Sequence, residues 1–190
     1  MKSIIFSIFV VICLISACSE SNSPSKHNDE IFPLAIGNKW VYQKTLNNGF
    51  DTTYTYQIMM DTILNNEKWY LYGCTLMQNN ESGLWAIIND DSSANGNPTL
   101  FYKYPAVAGQ EYNYSDILVK VISINEEVTV PAGKFICYHY RFPLYKEEYL
   151  EVYMDYYLSP GVGIVKIEEY DWYNGFLHCD SQVLLSYDIK

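Results

Sequence analysis

Thr53-Tyr54-Thr55-Tyr56-Gln57-Ile58-Met59-Met60 places Tyr54, Tyr56, Ile58 and Met60 on one side of an extended backbone and Thr53, Thr55 and Gln57 on the other. Aromatic and β-branched residues suit such a pleated, half-buried surface. The same period of two continues outward from Ile31 to the C-terminus. Lys68 to Met77 sets Trp69, Leu71 and Met77 against Tyr70, Tyr72, Cys74 and Leu76, apolar on both sides as in a central strand. Glu147 to Leu158 sets a core-facing row of Leu150, Val152, Met154, Tyr156 and Leu158 against a solvent-facing row of Glu147, Tyr149, Glu151, Tyr153, Asp155 and Tyr157.

Polar clusters divide the alternating segments: Asn47 to Gly49, Asn65 to Glu67, Asn79 to Gly83, Asn89 to Pro98, Asn125 to Glu127, Pro131 to Gly133, Ser159 to Gly163 and Tyr173 to Gly175. Short strands joined by short turns make an antiparallel meander. No segment beyond the first residues carries a helical apolar stripe. The expected fold is all-β, an antiparallel meander forming a strongly curved sheet or open barrel of about nine to eleven strands, with a two-layer β-sandwich as the alternative. One corner recurs: Phe32-Pro33-Leu34-Ala35-Ile36-Gly37-Asn38-Lys39-Trp40-Val41-Tyr42 matches Tyr104-Pro105-Ala106-Val107-Ala108-Gly109-Gln110-Glu111-Tyr112-Asn113-Tyr114 in the frame aromatic-Pro-x-x-x-Gly-x-x-aromatic-x-Tyr. Duplication and convergent turn chemistry explain so short a match equally well.

The chain has 190 residues, 49% hydrophobic and 18% charged, which excludes a disordered chain or a coiled coil. Its net charge is −10, and Arg141 is its single arginine. Nucleic acid is excluded as an expected partner, because phosphate binding needs clustered Lys and Arg. Nineteen tyrosines are the compositional anomaly.

Lys2 precedes an apolar run from Ile4 to Ile15, too short to span a membrane and of the length of a signal-peptide core. Ile15-Ser16-Ala17-Cys18 resembles the lipobox of bacterial lipoproteins, which implies cleavage before Cys18 and acylation of its sulfur. Residues 1–17 are therefore expected to be a lipoprotein signal peptide, 18–30 a lipidated flexible tether without a large apolar side chain, and 31–190 a single all-β domain. The membrane would be a partner through the lipid on Cys18, and stable anchoring would rest on more than one acyl chain. The expected location is the bacterial envelope, the outer membrane favoured over the inner. With Cys18 acylated, Cys74, Cys137 and Cys179 can form at most one disulfide, by any of three pairings, or remain free thiols.

Phe32-Pro33-Leu34 with Gly37-Asn38-x-Trp40-x-Tyr42, then Val130-Pro131-Ala132-Gly133-x-Phe135, then Pro160-Gly161-Val162-Gly163-Ile164 resemble successive signatures of a group of uncharacterised, Bacteroidetes-type envelope lipoproteins. The resemblance implies an exported, lipid-anchored β domain and carries no reaction with it.

Enzymatic signatures are weak. Neighbouring acids on the odd row of Glu147 to Leu158 have a spacing that a glycosidase pair could use, but 22 acidic residues produce such pairs by chance. Cys137 with His139, and His178-Cys179-Asp180, are zinc-ligand types without the usual paired-cysteine spacing. Asp91-x-Ser93-x-Asn95-Gly96 begins like a calcium loop, yet Tyr102 stands where its bidentate Glu belongs. There is no Gly-x-Ser-x-Gly and no phosphate-binding glycine loop. No cofactor and no catalytic or metal-binding residue is assigned. The favoured expectation is a non-catalytic β domain binding a small molecule, glycan or peptide, with Glu147, Tyr149, Glu151, Tyr153, Asp155 and Tyr157 as candidate ligand face and Trp40, Trp69 and Trp85 lining a concave side. A structural or assembly partner of other envelope proteins is the alternative, and a hydrolase the third.

Overall fold

A computed structural model describes residues 30–88, 97–147, 150–173 and 176–190. Cys18 and most of the polar loop 89–98 lie outside the described residues, as does Tyr149. The described chain contains twelve strands: β1 Lys39–Thr45, β2 Asp51–Leu64, β3 Glu67–Tyr72, β4 Thr75–Asn80, β5 Gly83–Ile88, β6 Thr99–Lys103, β7 Glu111–Tyr114, β8 Ile117–Val130, β9 Gly133–Glu147, β10 Leu150–Ser159, β11 Gly163–Tyr173 and β12 Phe176–Asp188. They form one antiparallel sheet in the order β6-β5-β4-β3-β2-β1-β12-β11-β10-β9-β8-β7. Each strand except β6 pairs with its successor in sequence, and β12 closes back on β1 with Trp40 opposite Tyr187. Only the step from β6 to β7 lacks a ladder, so the meander is a nearly closed barrel, as the alternation predicts, and not a sandwich.

Four local readings change. Lys68 to Met77 is a hairpin, not one strand. Gly73, at φ 61°, turns the chain there, and Met77 faces Tyr70 across β3 and β4. Asn125 to Glu127 is no turn but an irregular part of β8, where the register to β9 shifts between Ser123 and Glu126. Glu147 to Leu158 is likewise not one strand: β9 ends at Glu147, and β10 begins at Leu150, paired with it. The turn at Gly73 offsets the one lost at Asn125, so the strand number above the expected range comes from this step and from the one between β7 and β8. Met60 also leaves its row: the β2–β3 register skips between Ile58 and Asp61, so Ile58 is fully buried while Met60 is 52% exposed.

The recurring corner is used twice with the same hydrogen bonds. Asn38 N donates to Ala35 O and Gln110 N to Val107 O, both at 3.1 Å. Gly37 N donates to Ile58 O as Gly109 N does to Val121 O, and the amides of Ile58 and Val121 return the bond to Asn38 and Gln110. Gly37 and Gly109 both have positive φ, 95° and 81°, which glycine adopts without a Cβ penalty. Each corner thus launches an antiparallel pair, β1 with β2 and β7 with β8.

One end of the barrel is plugged by residues that the family resemblance rests on. Phe32 packs on Trp40 at 4.9 Å and on Tyr72 at 5.1 Å between ring centres. Trp40 Nε1 donates to Val162 O at 2.7 Å, Asn38 Nδ2 to Pro33 O, and the amide of Lys190 to Asn38 Oδ1. Ala132 N donates to Leu184 O, which ties the Pro131 turn to the last strand. Gly163 sits so close to the Phe32 ring that a Cβ would lie 2.8 Å from it. Burying Phe32, Trp40 and their neighbours contributes about 1.5–3 kcal/mol per large side chain. The signature residues therefore close a barrel end, and β1 runs away from it to the hairpin at Asn47.

Candidate functional site

Of the expected ligand row, Glu147 and Glu151 lie in β9 and β10 without a described side chain, and Tyr149 lies outside the described residues. Tyr153, Asp155 and Tyr157 do project from one face of β10, away from the core row. They are not, however, a solvent-facing edge. Asp155 is 2% and Tyr157 7% exposed.

Neighbouring strands cover them with charges of both signs. Arg141, opposite Asp155 on β9, grips its carboxylate through Nε at 2.8 Å and Nη2 at 2.7 Å, and lies 4.1 Å from the Tyr153 ring centre. His139 stacks on Tyr157 at 4.4 Å, with Nδ1 2.9 Å from Glu126 Oε2 and Nε2 3.2 Å from Asp155 Oδ1. Tyr157 donates to Glu168, which pairs with Lys166 at 2.7 Å. Burial alone would raise the Asp155 carboxyl, but the hydrogen bonds from Arg141 and the adjacent His139 imidazole outweigh it and hold the group below the usual carboxylate value. Charged and aromatic cross-strand pairs of this kind stabilise a sheet face, and within the lattice His139 Nε2 is left buried without a hydrogen-bond partner.

The residues of zinc-ligand type separate in the same way. Cys137 is a buried thiol, pushed up to about 12 by burial and then by Glu126, and His139 belongs to the carboxylate lattice. Among the described residues no three His, Cys, Asp or Glu side chains converge as a metal ion requires. Cys74, Cys137 and Cys179 are all free.

The tryptophans expected on a concave side do not line one. Trp40 belongs to the plug, and Trp69, although 2% exposed, projects from the face of β3 opposite Tyr70 and Tyr72. Trp85 donates from Nε1 to Asn80 Oδ1 and Ser82 Oγ of the preceding turn. Tyrosines take their place.

Inside the barrel a cavity of about 190 Å³ is lined by Tyr56, Tyr72, Met77, Phe101, Tyr102, Tyr156, Ile164, Ile167 and Gln182, with exposed Gly73 and Cys74 at its rim. Tyr56 stacks on Tyr72 at 4.7 Å and Phe101 on Tyr102 at 4.3 Å. No lining side chain is charged. Burial drives the Tyr72 and Tyr102 phenols well above their ordinary value, so both stay protonated donors. Tyr102 is 0% exposed and its hydroxyl has no hydrogen-bond partner. By contrast Tyr42 donates to Ile164 O, Tyr112 to Phe101 O and Tyr140 to Lys103 O. An orphaned buried hydroxyl costs about 1–3 kcal/mol.

The composition of the chain signals this site through its tyrosine count, but position does not. Tyr54 and Tyr56 read as a core face, and only the stagger of β3 to β6 past β1 leaves space beside them.

The fold is shared with solved structures. A protein described as exported, with a YmcC-like fold, from Bacteroides fragilis NCTC 9343 superposes with a TM-score of 0.55 at 13% identity, covering 83% of this chain and 98% of that one. A protein described as a lipoprotein, from Parabacteroides distasonis ATCC 8503, gives a TM-score of 0.52 at 17% identity over 84% and 99% of the two chains. At these identities the likeness is one of fold. Neither a family profile nor a curated protein matches the chain.

Proposed function

We propose that this chain is an exported envelope protein, anchored through a lipid on Cys18, whose barrel binds a small ligand non-catalytically in the tyrosine-lined cavity. The anchor reading is supported by the Ile15-Ser16-Ala17-Cys18 motif and by the fold shared with proteins described as exported and as a lipoprotein. The binding reading is carried by one observation: a cavity of about 190 Å³ is walled by tyrosine and aliphatic side chains with no charged side chain among the described lining residues. A cavity of about 150 Å³ holds one benzene-sized molecule, so this one suits a single neutral ring.

Calorimetric titration of residues 27–190 with p-cresol tests it. Saturable 1:1 binding is expected, weakened in Ile167→Trp, which fills the cavity. Absence of binding in both proteins would overturn the reading. The alternative of an assembly partner draws on exposed Met59, Met60 and Ile63 along β2, but the barrel edge such a partner would extend is sealed by tyrosine hydroxyls.

A further inference from the structure

The barrel end closed by the Phe32 plug carries apolar side chains that the core does not use. β2 pairs Asp51 with Thr45 and Gln57 with Lys39, so it runs from the Asn47 hairpin toward the plug and continues past the start of β1. There Gly37 N donates to Ile58 O, which lays Ile36 of the corner beside the register skip at Met59 and Met60. Met59 is 77% exposed, Met60 and Ile63 are 52% and 63%, and Ile36 is 49%. Single exposed apolar residues need no explanation, but adjoining ones mark a contact surface. Charges around it are balanced. Lys68, opposite Ile63, pairs with Asp61 at 2.6 Å, Lys39 stands opposite Asp188, and the Lys190 side chain lies over Gly37. The Asn47 end is acidic instead, with Glu169, Asp171 and Asp180 around one recess.

The chain also enters the barrel at the plug end. Glu30 O accepts from Gly161 N at 2.8 Å and Glu30 Oε2 from Asn79 Nδ2 at 3.1 Å, which pins Glu30 to the β10–β11 turn. A chain of the length from Cys18 to Glu30 spans about 20 Å as a coil and at most about 40 Å extended. From Gly163 to Tyr173, β11 covers about 33 Å of strand, or about 25 Å along an axis from which strands tilt by roughly 40°. We infer that the plug end is a membrane-contact surface, with Ile36, Met59, Met60 and Ile63 seated at the boundary of headgroups and acyl chains of the bilayer that holds Cys18. The inference rests on the lipid anchor and adds which end of the barrel meets the membrane. A short link gives a high effective concentration, so weak apolar contact suffices. Anionic lipid would repel the acidic end and leave the balanced one in place.

A nitrobenzoxadiazole label tests this in the full chain, expressed in a bacterium that lipidates exported proteins and reconstituted on phosphatidylcholine vesicles with brominated acyl chains. The background is Cys74→Ser/Cys179→Ser, with Cys137 left buried. A label on Met59→Cys is expected to shift to the blue and to be quenched by the bromines, whereas one on Phe50→Cys, exposed beside the Asn47 hairpin, keeps its emission in water. Adding Met60→Glu/Ile63→Glu, with an unchanged urea midpoint to show an intact fold, should return the first label to water. A label on Met59→Cys that stays in water, or quenching on Phe50→Cys in its place, would overturn the contact and leave the anchor standing. A sample whose mass shows no lipid on Cys18 would overturn the anchor and the contact together. A blue shift in Cys18→Ser that grows with protein concentration without vesicles would give the surface to a second copy of this chain and overturn the membrane.

Discussion

The Tyr112 hydroxyl donates to the Phe101 carbonyl at 2.7 Å across the only unladdered step of the barrel. Two residues on, the Lys103 carbonyl accepts from the Tyr140 hydroxyl at 2.8 Å. Alternate carbonyls of an edge strand point the same way, and β6 has its own satisfied by phenols in place of a partner strand. Phe101 also packs on Tyr114 at 5.1 Å. The seam is thus closed by side chains, which explains part of the tyrosine excess without reference to a ligand.

Removing those phenols should loosen the seam. Tyr112→Phe and Tyr140→Phe each leave an edge carbonyl without its donor and should cost about 1 kcal/mol in urea unfolding, near the net worth of a hydrogen bond. Unchanged midpoints in both variants would show that water replaces the phenols.

Tyr102→Phe should act in the opposite direction. It removes an orphaned hydroxyl while preserving ring packing, so the empty protein should gain about 1 kcal/mol of stability, seen as a higher Tm. Loss of stability would show that the hydroxyl has a partner in solution.

The plug makes a steric prediction. Gly163 and Gly109 both have positive φ, 92° and 81°, but a Cβ meets the Phe32 ring at 2.8 Å in the first and nothing within 4 Å in the second. Gly109→Ala should cost about 1 kcal/mol from backbone strain alone, and Gly163→Ala about 1–3 kcal/mol more from overpacking. Equal losses, measured by chemical denaturation, would contradict the close approach.

Asp155 sets part of the acid limit. Its carboxyl is held below its unfolded value, so its contribution is present above the ordinary carboxylate range and disappears as pH falls through the native pKa. Asp155→Asn should lower stability at neutral pH by about 3 kcal/mol, because it strands Arg141 and His139, and should flatten the loss of stability between about pH 5 and 2. A variant with an unaltered acid limb would place the titration elsewhere.

The extended architecture was legible because alternation on β2, β10 and both Phe32-type and Tyr104-type corners survives any closure of the sheet. The turn at Gly73-Cys74 was not, since neither neighbour is a strong polar turn former, and the Asn125 to Glu127 cluster misled because a bulge and a turn use similar residues. For the odd row of β10 the alternation was right and the exposure wrong. Whether Asp155 and Tyr157 face water depends on Arg141, His139, Lys166 and Glu168, which the register of β9 and β11 brings over them. The cavity was illegible for a related reason: Tyr56, Tyr72, Tyr102 and Tyr156 come from four strands spread across a hundred residues, and only the stagger of the barrel sets them around one space.

The central claim is that binding occurs inside the barrel and not on the outer row of β10. Ring-labelled tyrosine NMR during titration with p-cresol measures this directly. Shifts at Tyr56, Tyr72, Tyr102 and Tyr156, with Tyr153, Tyr157 and Tyr170 unmoved, are the predicted result. Shifts confined to Tyr153, Tyr157 and Tyr170 would contradict it.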